Sequence, residues 1–130
     1  MQKNFLRLVG SLSFLVLGVG YAHAAIGDYA FELVQTQIKK GQRAVDVRLV
    51  RKPDGKPVED AVIFATRLDM APDDMETMTG AIGLAQSSGP GVYRFKVDLT
   101  DAGRWRISIA AKIQGETGTL QSRLILQATP

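Results

Sequence analysis

An alternation of apolar and polar residues with period two runs through most of this chain, and it constrains the fold more than any other feature. Val45, Val47 and Leu49 alternate with Asp46 and Arg48. Val62, Phe64, Thr66 and Leu68 continue the pattern on one face of their segment. Tyr93, Phe95, Val97 and Leu99 alternate with Arg94, Lys96 and Asp98, and Trp105, Ile107, Ile109 and Ala111 with Arg104, Arg106 and Ser108. Leu120, Ser122, Leu124 and Leu126 form a last row. Side chains on a strand point to opposite faces in turn, so this period means strands with one buried and one wet face.

Turn chemistry separates the rows. KPDGKP (52–57), SSGPG (87–91), TDAG (100–103) and QGETG (114–118) supply Gly, Pro and Asp where the backbone must reverse. With Tyr29–Thr36 and Ala81–Gln86 added, about seven short strands fit an immunoglobulin-like antiparallel β-sandwich. Trp105 lies on an inward row and is expected in the core. No helix of ordinary length and no internal repeat is visible.

The N-terminus reads as an address. Lys3 and Arg7 precede an uncharged apolar run from Leu8 to Gly20, and Ala22-His23-Ala24 offers small residues where a signal peptidase cuts. Residues 1–24 are expected to be a signal peptide and 25–130 the exported, periplasmic domain. The alternative is an uncleaved segment anchoring the chain to the inner membrane; membrane association is expected only in that case. Without residues 1–24, Lys+Arg fall from 16 to 14 against 13 Asp+Glu, a net charge of about +1.

Composition then narrows the chemistry. The only histidine, His23, leaves with the signal, and there is no cysteine. That removes Ser-His and Cys-His catalysis, disulfides and ordinary zinc sites from the domain. No basic stripe with stacking aromatics suggests nucleic acid. No nucleotide loop or catalytic constellation appears, so an enzyme is not expected. Arg104 and Arg106 on one strand, with Arg94 and Lys96 on the strand before, suggest a basic wet face open to solvent, anionic lipid or a partner's acids.

One segment stands out. LDMAPDDMETM (68–78) holds Met70, Met75 and Met78, every methionine but the initiator, together with Asp69, Asp73, Asp74 and Glu76. Thioethers suit soft Cu(I) or Ag(I), and the four acids would draw cations toward them. Pro72 can start a helical turn that puts Met75 and Met78, three apart, on one face, with Met70 folding back as a third ligand. Two plainer readings stand beside this one. The segment fits a structural loop with Asp73 or Asp74 as a cap, and it fits a flexible methionine patch that docks on a partner protein. Calcium is less apt, because the spacing matches no EF-hand loop.

Taken in order, Asp54-Gly55-Lys56-Pro57-Val58 with Ala61, then Gly91-Val92-Tyr93, then Leu99 through Ala102-Gly103 to Trp105, resemble the YtkA-like domain family and the related FixH-like proteins. The resemblance covers about residues 29–127. It implies an exported or membrane-anchored immunoglobulin-like domain, often associated with copper or heavy-metal handling or with oxidase assembly. An efflux adaptor or an oxidase-assembly protein is the partner it implies. The family commonly carries a Met-Pro-x-Met segment with a histidine nearby. Here Met70-Ala71-Pro72 is followed by Met75 and Met78 without a histidine in the domain, so a metal role would rest on thioethers alone. The expected function is therefore a non-enzymatic module that binds or hands over Cu(I) or Ag(I), with a metal-free interaction module of the same fold as the alternative.

Overall fold

The structure, a computed structural model, describes residues 25–130. The proposed signal segment lies outside the described residues. Ten strands follow in order: β1 (Tyr29–Leu33), β2 (Gln37–Lys39), β3 (Gly41–Arg51), β4 (Lys56–Pro57), β5 (Val62–Met70), β6 (Met75–Gly80), β7 (Ile82–Gly89), β8 (Val92–Leu99), β9 (Gly103–Lys112) and β10 (Leu120–Thr129). Among the described residues the remaining regular structure is two single 3₁₀ turns, Ile26–Asp28 and Ala71–Asp73.

The strands form two sheets. One runs β1-β3-β8-β7 with β4 beside β3; the other runs β2-β10-β9-β5-β6. The β1-β3-β8-β7 order against β10-β9-β5 is the A-B-E-D and G-F-C arrangement of an immunoglobulin-like sandwich. Seven strands match those expected from the period-two rows. Of the other three, β2 and β4 have three and two residues, too few to show an alternation, and β6 begins inside the methionine segment, where a loop or helical turn was expected. β2 adds a parallel pairing to β10, so that sheet is mixed.

Alternation builds the core. Val45, Val47 and Leu49 of β3 lie beside Tyr93, Phe95, Val97 and Leu99 of β8 on the inner face of one sheet, and β9 of the other sheet contributes Trp105, Ile107, Ile109 and Ala111. Fully burying one such Leu, Ile or Phe contributes about 1.5–3 kcal/mol. Trp105 has no exposed surface, and its Nε1–H donates to the Asp101 carbonyl at 2.9 Å. That bond reaches back across the β8–β9 corner, so the one polar atom of the side chain is satisfied where the two sheets join.

Two expectations need correction. The row Val62, Phe64, Thr66, Leu68 does not share one face. A bulge between Ile63 and Ala65 makes Phe64 an extra residue opposite β9. One inserted residue changes the phase of a strand. Leu68 is therefore buried and Ile63 packs on the core, while Val62 and Phe64 are 64% and 56% exposed. The basic face also divides. β8 and β9 belong to different sheets, so Arg94 and Lys96 lie on one outer face and Arg104 and Arg106 on the other.

Candidate functional site

The methionine segment forms the end of the β5–β6 hairpin. β5 finishes with Leu68, Asp69 and Met70 all buried. Pro72 is the second residue of the 3₁₀ turn, and Asp74, at φ 58° and ψ 26°, closes it in the left-handed region that Asp tolerates better than most residues. The chain then returns as a strand. The helical face expected for Met75 and Met78 does not form, because a single 3₁₀ turn ends before either residue and both lie on β6.

The hairpin makes Met70 and Met75 cross-strand partners. Their side chains have different surroundings. Met70 is 1% exposed in the core, Met78 packs half-buried against it, and Met75 is 39% exposed. The structure thus brings the three sulfurs into one segment at three levels of access.

Three of the four acids are held by arginines. Asp69 accepts hydrogen bonds from Arg67 Nε, Arg106 Nη2 and the Ala71 N–H, each at 2.9 Å. Burial alone would raise its carboxyl pKa; the bonds from Arg106, Ala71 and Arg67 outweigh that and hold it below the ordinary value. Asp73 accepts from the Arg104 N–H and from Arg104 Nε, both at 2.8 Å, and these bonds lower its pKa. Glu76 lies 3.6 Å from Arg106, and Arg67 donates to its carbonyl. Asp74 is exposed and has no arginine among the described residues. The arginines arrive by different routes: Arg106 on β9 stands opposite Asp69 on β5 by register, Arg67 is two residues before Asp69 on β5 itself, and Arg104 at the start of β9 meets Asp73 in the 3₁₀ turn. Sequence reasoning missed these partners. Their only signal was that Arg104, Arg106 and Asp69 occupy outward positions of strands whose pairing was not yet known.

Gly103 makes room for the hairpin. It sits at φ +139°, and a Cβ there would come within 2.6 Å of Asp73 Oδ2 and 2.7 Å of Met70 Cε. Beside the hairpin, the outer face of the sheet carries a shallow depression of about 360 Å³ lined by Arg67, Arg106, Arg123 and Ser108 among others. Among the described residues, no group of three or more His, Cys, Asp or Glu is placed to hold a metal ion.

The family model described as YtkA-like matches residues 23–110, well over half of the chain. The chain belongs to the YtkA-like family. No curated protein matches it. The residues that resemble the YtkA-like family lock the scaffold. Tyr93 OH donates to the Val58 carbonyl at 2.9 Å and accepts from the Ala61 N–H at 3.1 Å, fixing the connection between β4 and β5 to β8. Gly91, at φ +68°, lies so close to Pro57 that a Cβ would meet the Pro57 Cβ at 2.6 Å. Its carbonyl accepts from the Leu49 N–H, and the Leu49 carbonyl accepts from Val58. In this YtkA-like chain the matching motifs thus hold two sheets and their turns in register.

Proposed function

We propose that this YtkA-like protein is an exported, non-catalytic module that acts by binding another protein surface, and that its methionine segment is framework. One observation carries the reading: Asp69, Asp73 and Glu76 have arginine partners and Met70 lies in the core, so the segment is committed to the fold. A three-sulfur metal site would need Met70 to leave the core. By contrast, Val62 and Phe64 of β5 are 64% and 56% exposed, and Leu84 on β7, which β5 approaches, is 54% exposed, a grouping of apolar side chains that suits a docking surface. The partners implied by the family resemblance, an efflux adaptor or an oxidase-assembly protein, suit a module on the periplasmic side.

A second reading keeps one observation in its favour. Met70 and Met75 are cross-strand partners with Met78 on the same hairpin, so a local opening would gather three thioethers for Cu(I) or Ag(I). Anaerobic titration with Cu(I) separates the two. The interaction reading expects no saturable uptake by the protein. Saturable uptake that disappears when Met70, Met75 and Met78 are all replaced by Leu would move the assignment to soft-metal binding. Those replacements keep volume and apolar character, at less than about 1.5 kcal/mol each, so the variant should fold. Mass spectrometry of protein recovered from cells should show a chain beginning at Ala25. An intact chain held in the membrane fraction would favour the anchored form.

A further inference from the structure

β5 is covered on one side only for most of its length. Leu68, Asp69 and Met70 pair with β6, whereas the run from 62 to 67 has β9 on one side and, among the described residues, no strand on the other. An open edge offers unpaired main-chain donors and acceptors, and proteins usually blunt it with Lys, Pro or a bulge. This run has neither Lys nor Pro. Its bulge shortens the regular edge and leaves Phe64 outside, so Val62 and Phe64 stand 64% and 56% exposed beside free backbone. On the same side of the sandwich β5 approaches β7, the edge of the other sheet, where Leu84 is 54% exposed.

The order of charges selects the occupant. Glu59 and Asp60 precede the run, exposed and without an ion-pair partner among the described residues. Arg67 closes the run; it is bound to Asp69, yet its side chain is 50% exposed. A segment that is acidic at one end, apolar in the middle and basic at the other complements itself when two copies run antiparallel. With a two-fold axis at Ile63, Glu59 of one copy faces Arg67 of the other, and Val62 faces Phe64. The second pair is an aromatic against a β-branched residue, a favourable cross-strand combination. Each contact is made twice, as an isologous interface requires. We propose that the open edge of β5 is a self-association surface at which a second copy of this chain pairs antiparallel through residues 59–67. This deepens the interaction reading, on which it rests, by naming a partner surface.

Sedimentation velocity of the purified protein over a wide concentration range tests it. The expected result is a reversible monomer–dimer equilibrium. Phe64→Lys and Val62→Lys should each weaken it by about tenfold or more, and Glu59→Lys should weaken it mainly at low salt. Both apolar sites are exposed, so the variants should keep the parent's near-ultraviolet Trp105 signal. The chain has no cysteine, so a mixture of Val62→Cys and Phe64→Cys proteins should form a mixed disulfide faster than either does with Val34→Cys. A monomer at all concentrations overturns the proposal. So does a dimer unaffected by Phe64→Lys and Val62→Lys, which would lie on another face, and so does a variant that loses dimer only by unfolding while the cysteine mixture fails to cross-link. None of these results bears on the Cu(I) titration, so self-association and the wider interaction reading can fail separately.

Discussion

Trp105 and Asp69 show how a single side chain settles its surroundings. Trp105 fills the space between the sheets and spends its only donor on the Asp101 carbonyl. Replacing it with Ala should cost about 3–5 kcal/mol, read as a lower denaturant midpoint with an unchanged slope. An unchanged midpoint would mean that the core does not depend on it. Asp69 is as buried as Trp105 but charged, and it is stable there because Arg67, Arg106 and the Ala71 N–H surround it. Asp69→Asn keeps the shape and removes the charge that both arginines bind. It should cost about 1–3 kcal/mol, and the loss should appear in thermal unfolding. The methionines teach the same lesson by contrast. Met70 and Met75 are paired across one hairpin, yet one is core and the other surface, so residue type alone does not assign a role.

At the scale of elements, turns and bulges decide what the strands can do. The turns anticipated from KPDGKP, SSGPG, TDAG and QGETG each contain a glycine at positive φ: Gly55, Gly91, Gly103, and Gly115 with Gly118. Gly91 is the tightest test. Gly91→Ala adds a left-handed alanine, costing about 1–2 kcal/mol on backbone grounds, and drives its Cβ into Pro57. Tyr93→Phe at the same lock removes bonds to Val58 and Ala61 and should cost about 1 kcal/mol. Chemical denaturation of both variants checks the pair; a parent-like Gly91→Ala would show that the turn gives way freely. The bulge in β5 acts in the opposite sense. Period two is legible in sequence only while no residue is inserted, so Val62 and Phe64 appeared to be core and stand outside.

Across the whole molecule, arginine–carboxylate pairs join segments that are distant in sequence: Asp46 to Arg94 between strands of one sheet, Asp69 to Arg106 between strands of the other, and Asp73 in the 3₁₀ turn to Arg104. Hydrogen bonds from Arg94 hold the Asp46 carboxyl below its ordinary value of 3.8, as arginine contacts do for Asp69 and Asp73. A carboxylate depressed in the folded state contributes stability that is complete above its unfolded pKa and is lost as pH falls through the folded value. The melting temperature should therefore decline as pH drops below about 4, and Asp69→Asn should flatten that decline; an acid profile identical to the parent's would place the sensitivity elsewhere. What the sequence determined by itself is local: strand period, turn positions, the inward Trp105 row and the family motifs, because each follows from neighbours along the chain. It also located the unusual segment at 68–78. Tertiary structure alone decided the rest. Register set Asp69 against Arg106, the sheet order put the two basic strands on opposite faces, and the hairpin sent Met70 inward and left Met75 outside. Those outcomes depend on which distant strands lie side by side, and period-two patterning is the same whichever neighbour a strand takes.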